Sequence, residues 1–146
     1  MKPAILAILT TATTAMASPQ QPLGPTITLS ETHASISADG NTGMMDMNVQ
    51  NPVYQNMNNI PCAITWNPNN MIPSSMDFDC HNGVYNISFP NGLSDIATFS
   101  LAVKYQSMMA LYNLGPGGDW LCQFNTNETT REYCYLGGTI GYMPPN

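Results

Sequence analysis

The chain has 146 residues, a formal net charge of −6 at pH 7, and only 8% charged side chains. Three Lys and Arg residues against nine Asp and Glu exclude the cationic face that a phosphate backbone or an anionic membrane surface requires. The length suits one domain with a real core, and abundant Asn, Thr, Ser, Gly, Pro and Tyr suit a secreted β-protein with a polar but uncharged surface.

The N-terminus "MKPAILAILTTATTAMAS" carries one basic residue, Lys2, then an apolar run, then Ala15 and Ala17 spaced as in a cleavage site before Ser18. This pattern predicts a secretory signal peptide over residues 1–17. Its apolar core is too short for a span of roughly 20 residues, so no membrane insertion is expected. The predicted localisation is extracellular. Residues 18–25, "SPQQPLGP", are Pro-rich and aperiodic and read as an extended, loosely held arm.

From Thr26 to the C-terminus a single β-barrel domain is expected, in the all-β class, as a compact antiparallel barrel or sandwich. Short segments alternate apolar and polar residues with a period of two: "TITLS", "MMDMNV", "CAITW", "MDFDC", "VYNISF", "ATFSLAVKY", "WLCQF" and "YCYLGGTIGYM". Turn chemistry separates them at Asp39-Gly40, Asn67-Pro68, Asn82-Gly83, Asn91-Gly92 and Gly115-Pro116-Gly117-Gly118. Residues 106–112 stay open to helix, because the alternation weakens after Tyr105. In the second segment Met45, Met47 and Val49 fall on one face and are expected in the core.

Four cysteines in a secreted chain should be oxidised, and Cys62, Cys80, Cys122 and Cys134 admit three connectivities. The strand reading brings Cys62 next to Cys80, because the Pro- and Asn-rich link between their strands can fold back. It likewise brings Cys122 next to Cys134, which flank the polar loop in "LCQFNTNETTREYC". Closing that loop is worth about 3 kcal/mol in the chain-entropy account.

Taken in order, the signal peptide, "ITLSETHASIS", "CAITW" followed by "FDC", "VYNISFPNGLSDIATFSLAVKY", the Gly-rich turn and "WLCQF" closed by "YCYLGGTI" resemble the small secreted fungal proteins related to the major allergen of Alternaria. The resemblance runs over nearly the whole chain after residue 17. It implies a compact β-barrel with two hairpin-local disulfides. It also implies a fungal protein at the host interface, with no established general enzymatic activity and, in some members, an ability to trigger plant defence. The additional N-terminal cysteine through which some relatives dimerise covalently is missing, so only a non-covalent homodimer stays open.

Candidate chemistry is sparse. A catalytic triad needs a histidine in reach of a nucleophile and an orienting acid, yet only His33 and His81 exist, and neither lies near a nucleophile elbow. His81, beside Asp77 and Asp79, reads as a surface turn residue. Asp77 and Asp79 share a strand face by their spacing, as solvent-facing acids do, and two carboxylates fall short of the six to eight oxygens that Ca²⁺ takes. The methionines are soft enough for Cu(I) but are expected as core filler. No cofactor and no metal site are expected.

Two sequons, Asn86-Ile87-Ser88 and Asn127-Glu128-Thr129, make Asn86 and Asn127 glycosylation candidates in a eukaryotic secretory pathway. The recognition surface is placed on the loop around Asn125 to Arg131, with Asn125, Glu128 and Arg131 as contacts and Trp120 near the barrel mouth. The leading expectation is a non-enzymatic effector or elicitor that binds a host extracellular or membrane-surface protein. The alternative is a module for a small ligand or carbohydrate, and a secreted hydrolase ranks behind both.

Overall fold

The computed structural model describes residues 27–51 and 59–141; the expected signal peptide over residues 1–17, the expected arm over 18–25, and the residues Tyr54, Met57 and Tyr142 lie outside them. Among the described residues there are ten strands and no helix. They are β1 (Thr28–Ser37), β2 (Gly43–Gln50), β3 (Ile60–Trp66), β4 (Asp77–Cys80), β5 (Tyr85–Ser88), β6 (Phe99–Tyr105), β7 (Met108–Leu114), β8 (Trp120–Phe124), β9 (Thr130–Leu136) and β10 (Ile140–Gly141).

Every pairing is antiparallel. One sheet has the order β3-β2-β1-β9-β8, with β10 on the first residues of β1, and the other has the order β4-β5-β6-β7. No strand pairing among the described residues joins the two sheets, so the fold is an open sandwich and not a closed barrel. The larger sheet combines the hairpins β1–β2–β3 and β8–β9 through the long-range pairing of β1 with β9, the smaller sheet is a meander, and among the described residues nothing pairs the edge strands β3 and β8 with β4 or β7.

Period-two alternation makes one face of each sheet apolar, and the two apolar faces meet. Met45, Met47 and Val49 of β2 are buried, as the spacing predicts, and so are Ile60, Cys62 and Ile64 of β3. From the second sheet come Tyr85, Ile87, Leu101 and Val103, each fully buried. Residues 106–112 form a two-residue turn at Gln106 and Ser107 and then strand β7, whose Ala110, Tyr112 and Leu114 join this core. Packing against β6 decides a segment that local pattern leaves open.

Polar ties then fix one sheet on the other. Tyr112 donates from its hydroxyl to the Ile27 carbonyl at 2.6 Å, and Trp120 donates from Nε1 to the Ile96 carbonyl at 2.9 Å. Phe99 meets Trp120 edge to face, with centroids 5.6 Å apart.

Both predicted disulfides are present, but they differ in kind. Cys122 and Cys134 are directly opposed in the β8–β9 hairpin, with Cα atoms 4.0 Å apart. Cys62 and Cys80 are not a hairpin pair: β3 and β4 belong to different sheets, and their bridge staples the two together along one edge. Each bridge removes entropy from the unfolded chain according to the loop it closes, 18 and 12 residues, so the two stabilise by similar amounts and differ in where they act.

An end cleft as the candidate functional site

The last core-facing row of the larger sheet can be read strand by strand. Phe124 of β8 pairs with Glu132 of β9, Glu132 with Ile36 of β1, Ile36 with Gly43 of β2, and Gly43 with Trp66 of β3. Further in, such rows are covered by the second sheet. At this end the segment Leu93 to Ala97 and Pro68 stand over the row, and a cleft of about 380 Å³ remains, lined by Ile36, Trp66, Asp95, Phe124, Arg131 and Glu132 among others. Five strands at about 4.8 Å spacing make its floor about 19 Å across.

Aromatic rings stand at the two ends of that floor. Phe124 is 60% exposed, although it continues the inward-facing series Trp120 and Cys122. At the other end Trp66 lies on Gly43 so closely that a Cβ there would come within 2.3 Å of the indole. Gly43 is thus required by the ring and not by any backbone twist.

The charged groups sit between. Arg131 donates from Nε to Glu132 Oε1 at 3.1 Å, with the Glu132 side chain 23% exposed. The guanidinium passes over Gly40, which has φ +71° and where an added Cβ would stand 2.8 Å from Arg131 Nη1. Asp95 is held at the rim because its Oδ1 accepts the Ala97 amide at 2.8 Å.

Three loops frame this end and brace one another. In the β1–β2 loop the Asp39 carboxylate accepts from Ser37 Oγ and from the amide and side chain of Asn41, and these bonds, Ser37 first, hold its carboxyl below the ordinary value. Asn69, after β3, donates to Asn41 at 3.2 Å, and Ala38 donates to the Thr129 carbonyl at 3.0 Å. In the β8–β9 loop Asn127 Oδ1 accepts from the Thr129 amide, the Thr129 hydroxyl and the Thr130 amide, all at 2.8 to 2.9 Å. The wall segment is tied as well, since Ile72 and Leu93 exchange backbone hydrogen bonds of 3.1 and 2.9 Å.

The expected contact residues separate. Arg131 lines the cleft, while Asn125 and Glu128 are exposed in the loop above it. Trp120 is corrected: it is 3% exposed and serves the core, because its ring faces Phe99 and its N–H is spent on Ile96. Trp66 is half-buried and lines the cleft. Asn127 is exposed, and Asn86 is half-buried on the outer face of β5, between Asp79 and Lys104 in register. Phe124, Glu132 and Asp95 were not singled out from sequence. For Phe124 a signal existed, its i, i+4 relation to Trp120 on one strand face.

The histidines are placed apart from the cleft. His81 is exposed in the β4–β5 turn at φ +54°. His33 lies opposite Asp46, with Nε2 3.4 Å from Oδ2, because a bulge at Glu31, φ +49°, turns this part of β1 outward. Its Nδ1 lies 3.3 Å from the Glu31 carbonyl, so both ring nitrogens face an acceptor and neither is directed at a nucleophile. Among the described residues no group of three or more His, Cys, Asp or Glu is arranged to hold a metal ion. No helix among them is long and apolar enough to cross a membrane.

Fold and site together define a class: a disulfide-stapled, all-β sandwich with a mixed aromatic and charged cleft at its loop-bearing end. The chain matches no family model, no curated protein and no solved structure.

Proposed function

We propose that this is a secreted, non-enzymatic recognition protein that engages a partner through the loop-bearing end of the sandwich. One observation carries the reading: three mutually braced loops and the 93–97 wall converge on a cleft whose floor leaves Phe124 60% exposed. An inward-facing ring left that open is an unpartnered apolar surface, and burying the rest of it on a partner is worth about 2 kcal/mol. A frame stapled by two disulfides limits the entropy lost on binding, and loops supply specificity.

The signal-like N-terminus and the oxidised cysteines support an extracellular site of action. The resemblance to the Alternaria allergen group supports a fungal effector or elicitor role, with a host extracellular protein as partner. Exposed Asn127, on the loop tip, is the glycosylation site that fits this reading, since a glycan there stands beside the cleft floor and not in it.

The test is infiltration of the purified protein into leaf tissue, with cross-linking capture of bound host protein. Native protein is expected to give a response and a captured partner, Phe124→Ser with Arg131→Ala to lose both, and Met109→Ser, on the far sheet, to keep both. Absence of response and partner with the native protein would end the reading.

A further inference from the structure

We infer that the end cleft binds a neutral oligosaccharide. The inference rests on the reading of this end as the recognition surface and names the chemistry that the surface takes.

Charge narrows the ligand first. The chain carries a net −6, and Asp95 and Glu132 both line the cleft, so a phosphorylated or sulfated ligand meets repulsion there. Arg131 is the cationic residue of the lining, and it is already paired with Glu132. That pair is neutral in itself and Asp95 leaves the lining one net negative charge, too little to hold a strongly cationic ligand, so hydrogen-bonding groups and rings, not charge, set the choice.

Polarity narrows it further. A purely apolar ligand would bury the Asp95, Glu132 and Arg131 heads without replacing their water, at a cost that the two rings do not offset. A sugar presents both chemistries at once: faces of C–H groups that lie on aromatic rings, and edges of hydroxyls that donate to carboxylates and accept from a guanidinium. The lining offers these complements together. Phe124 and Trp66 are the ring surfaces at its two ends. Glu132 gives one oxygen to Arg131 and Asp95 one to Ala97, so each carboxylate retains an oxygen without a protein donor among the described residues. Arg131 retains its two Nη groups outside the Glu132 pair, and a planar guanidinium donates well to two adjacent hydroxyls.

Shape sets the length. A floor about 19 Å across with a ring at either end is matched by several linked sugar units and not by one. A single unit reaches one ring only.

The test is calorimetric titration of the native protein with di- and tetrasaccharides of β-1,4-linked N-acetylglucosamine, β-1,4-linked glucose and β-1,3-linked glucose. At least one series is expected to bind, the tetrasaccharide more tightly than the disaccharide. Phe124→Ala is expected to weaken it about tenfold, and Glu132→Gln and Arg131→Ala several-fold, with Met109→Ala without effect. Phe124 is exposed, so its variant should fold, and equal melting temperatures check that. No heat with any series, or binding that Phe124→Ala leaves unchanged, overturns the inference. If the sugars fail while the leaf partner is still captured by native protein and lost by the Phe124 variant, the partner is read as protein alone. If both fail, the recognition reading falls with it.

Discussion

Trp120→Phe tests whether the core residue that was expected at the surface in fact holds up one wall of the cleft. The substitution removes the Nε1 donor 2.9 Å from the carbonyl of Ile96, a residue only 2% exposed. Leaving that buried acceptor unpaired costs about 1 to 3 kcal/mol. The smaller ring also forfeits roughly 40 Å² of buried apolar area, about 1 kcal/mol at 25 cal/mol per Å². Phenyl retains an edge-to-face contact with Phe99, so nothing is added for that pair. The total, about 2 to 4 kcal/mol, should lower the urea midpoint of the non-reduced protein by roughly 1 to 2 M. Hydrogen exchange should meanwhile rise in residues 93–97 and stay unchanged in β2, which the indole does not anchor. A loss below about 1 kcal/mol, or unaltered exchange in 93–97, would refute the claim that this hydrogen bond fixes the wall.

Three further outcomes follow from the same geometry. Replacing Cys62 and Cys80 by Ala, or Cys122 and Cys134 by Ala, should cost about 3 kcal/mol each, since the closed loops span 18 and 12 residues. Only the first pair should raise exchange along both β3 and β4, and equal exchange in the two variants would contradict the inter-sheet staple. Gly43→Ala should cost about 1 to 3 kcal/mol and shift tryptophan emission to longer wavelength, because a methyl group there collides with the Trp66 ring; an unchanged spectrum would count against that contact. The Asp39 carboxyl is held below its ordinary value by hydrogen bonds to the charged form. Its contribution to the β1–β2 loop is therefore present above the ordinary carboxylate range and lost as the pH falls through the lowered folded value. Asn41 amide exchange should rise there in the native protein, and Asp39→Asn should abolish that dependence.

How much was legible depends on whether a feature is local. The strands around Met45, Ile64, Ile87 and Leu101 are visible because alternation is written residue by residue, and the burial follows it. The bulge at Glu31 was not, since "SETHAS" reads as uninterrupted strand; only the register with β2, Ser30 to Asn48 and then His33 to Asp46, shows the extra residue. The His33–Asp46 pair is hidden for the same reason. Trp120 was misplaced because its neighbour "LGPGGD" marks a surface turn, while the face on which the next residue points is set by the sheet it enters.

The sequence alone determined an all-β chain of short alternating strands and the apolar face of each main strand, and it left three cysteine connectivities open. These rest on contacts between neighbours along the chain or across one turn. Tertiary structure alone decided that Cys62 and Cys80 join two sheets, that the sandwich stays open, and that Phe124, Glu132, Ile36, Gly43 and Trp66 fall into a single row. That row draws on five strands spread over most of the domain, and register between distant strands is a property of the assembled sheet, set by which faces must be buried together.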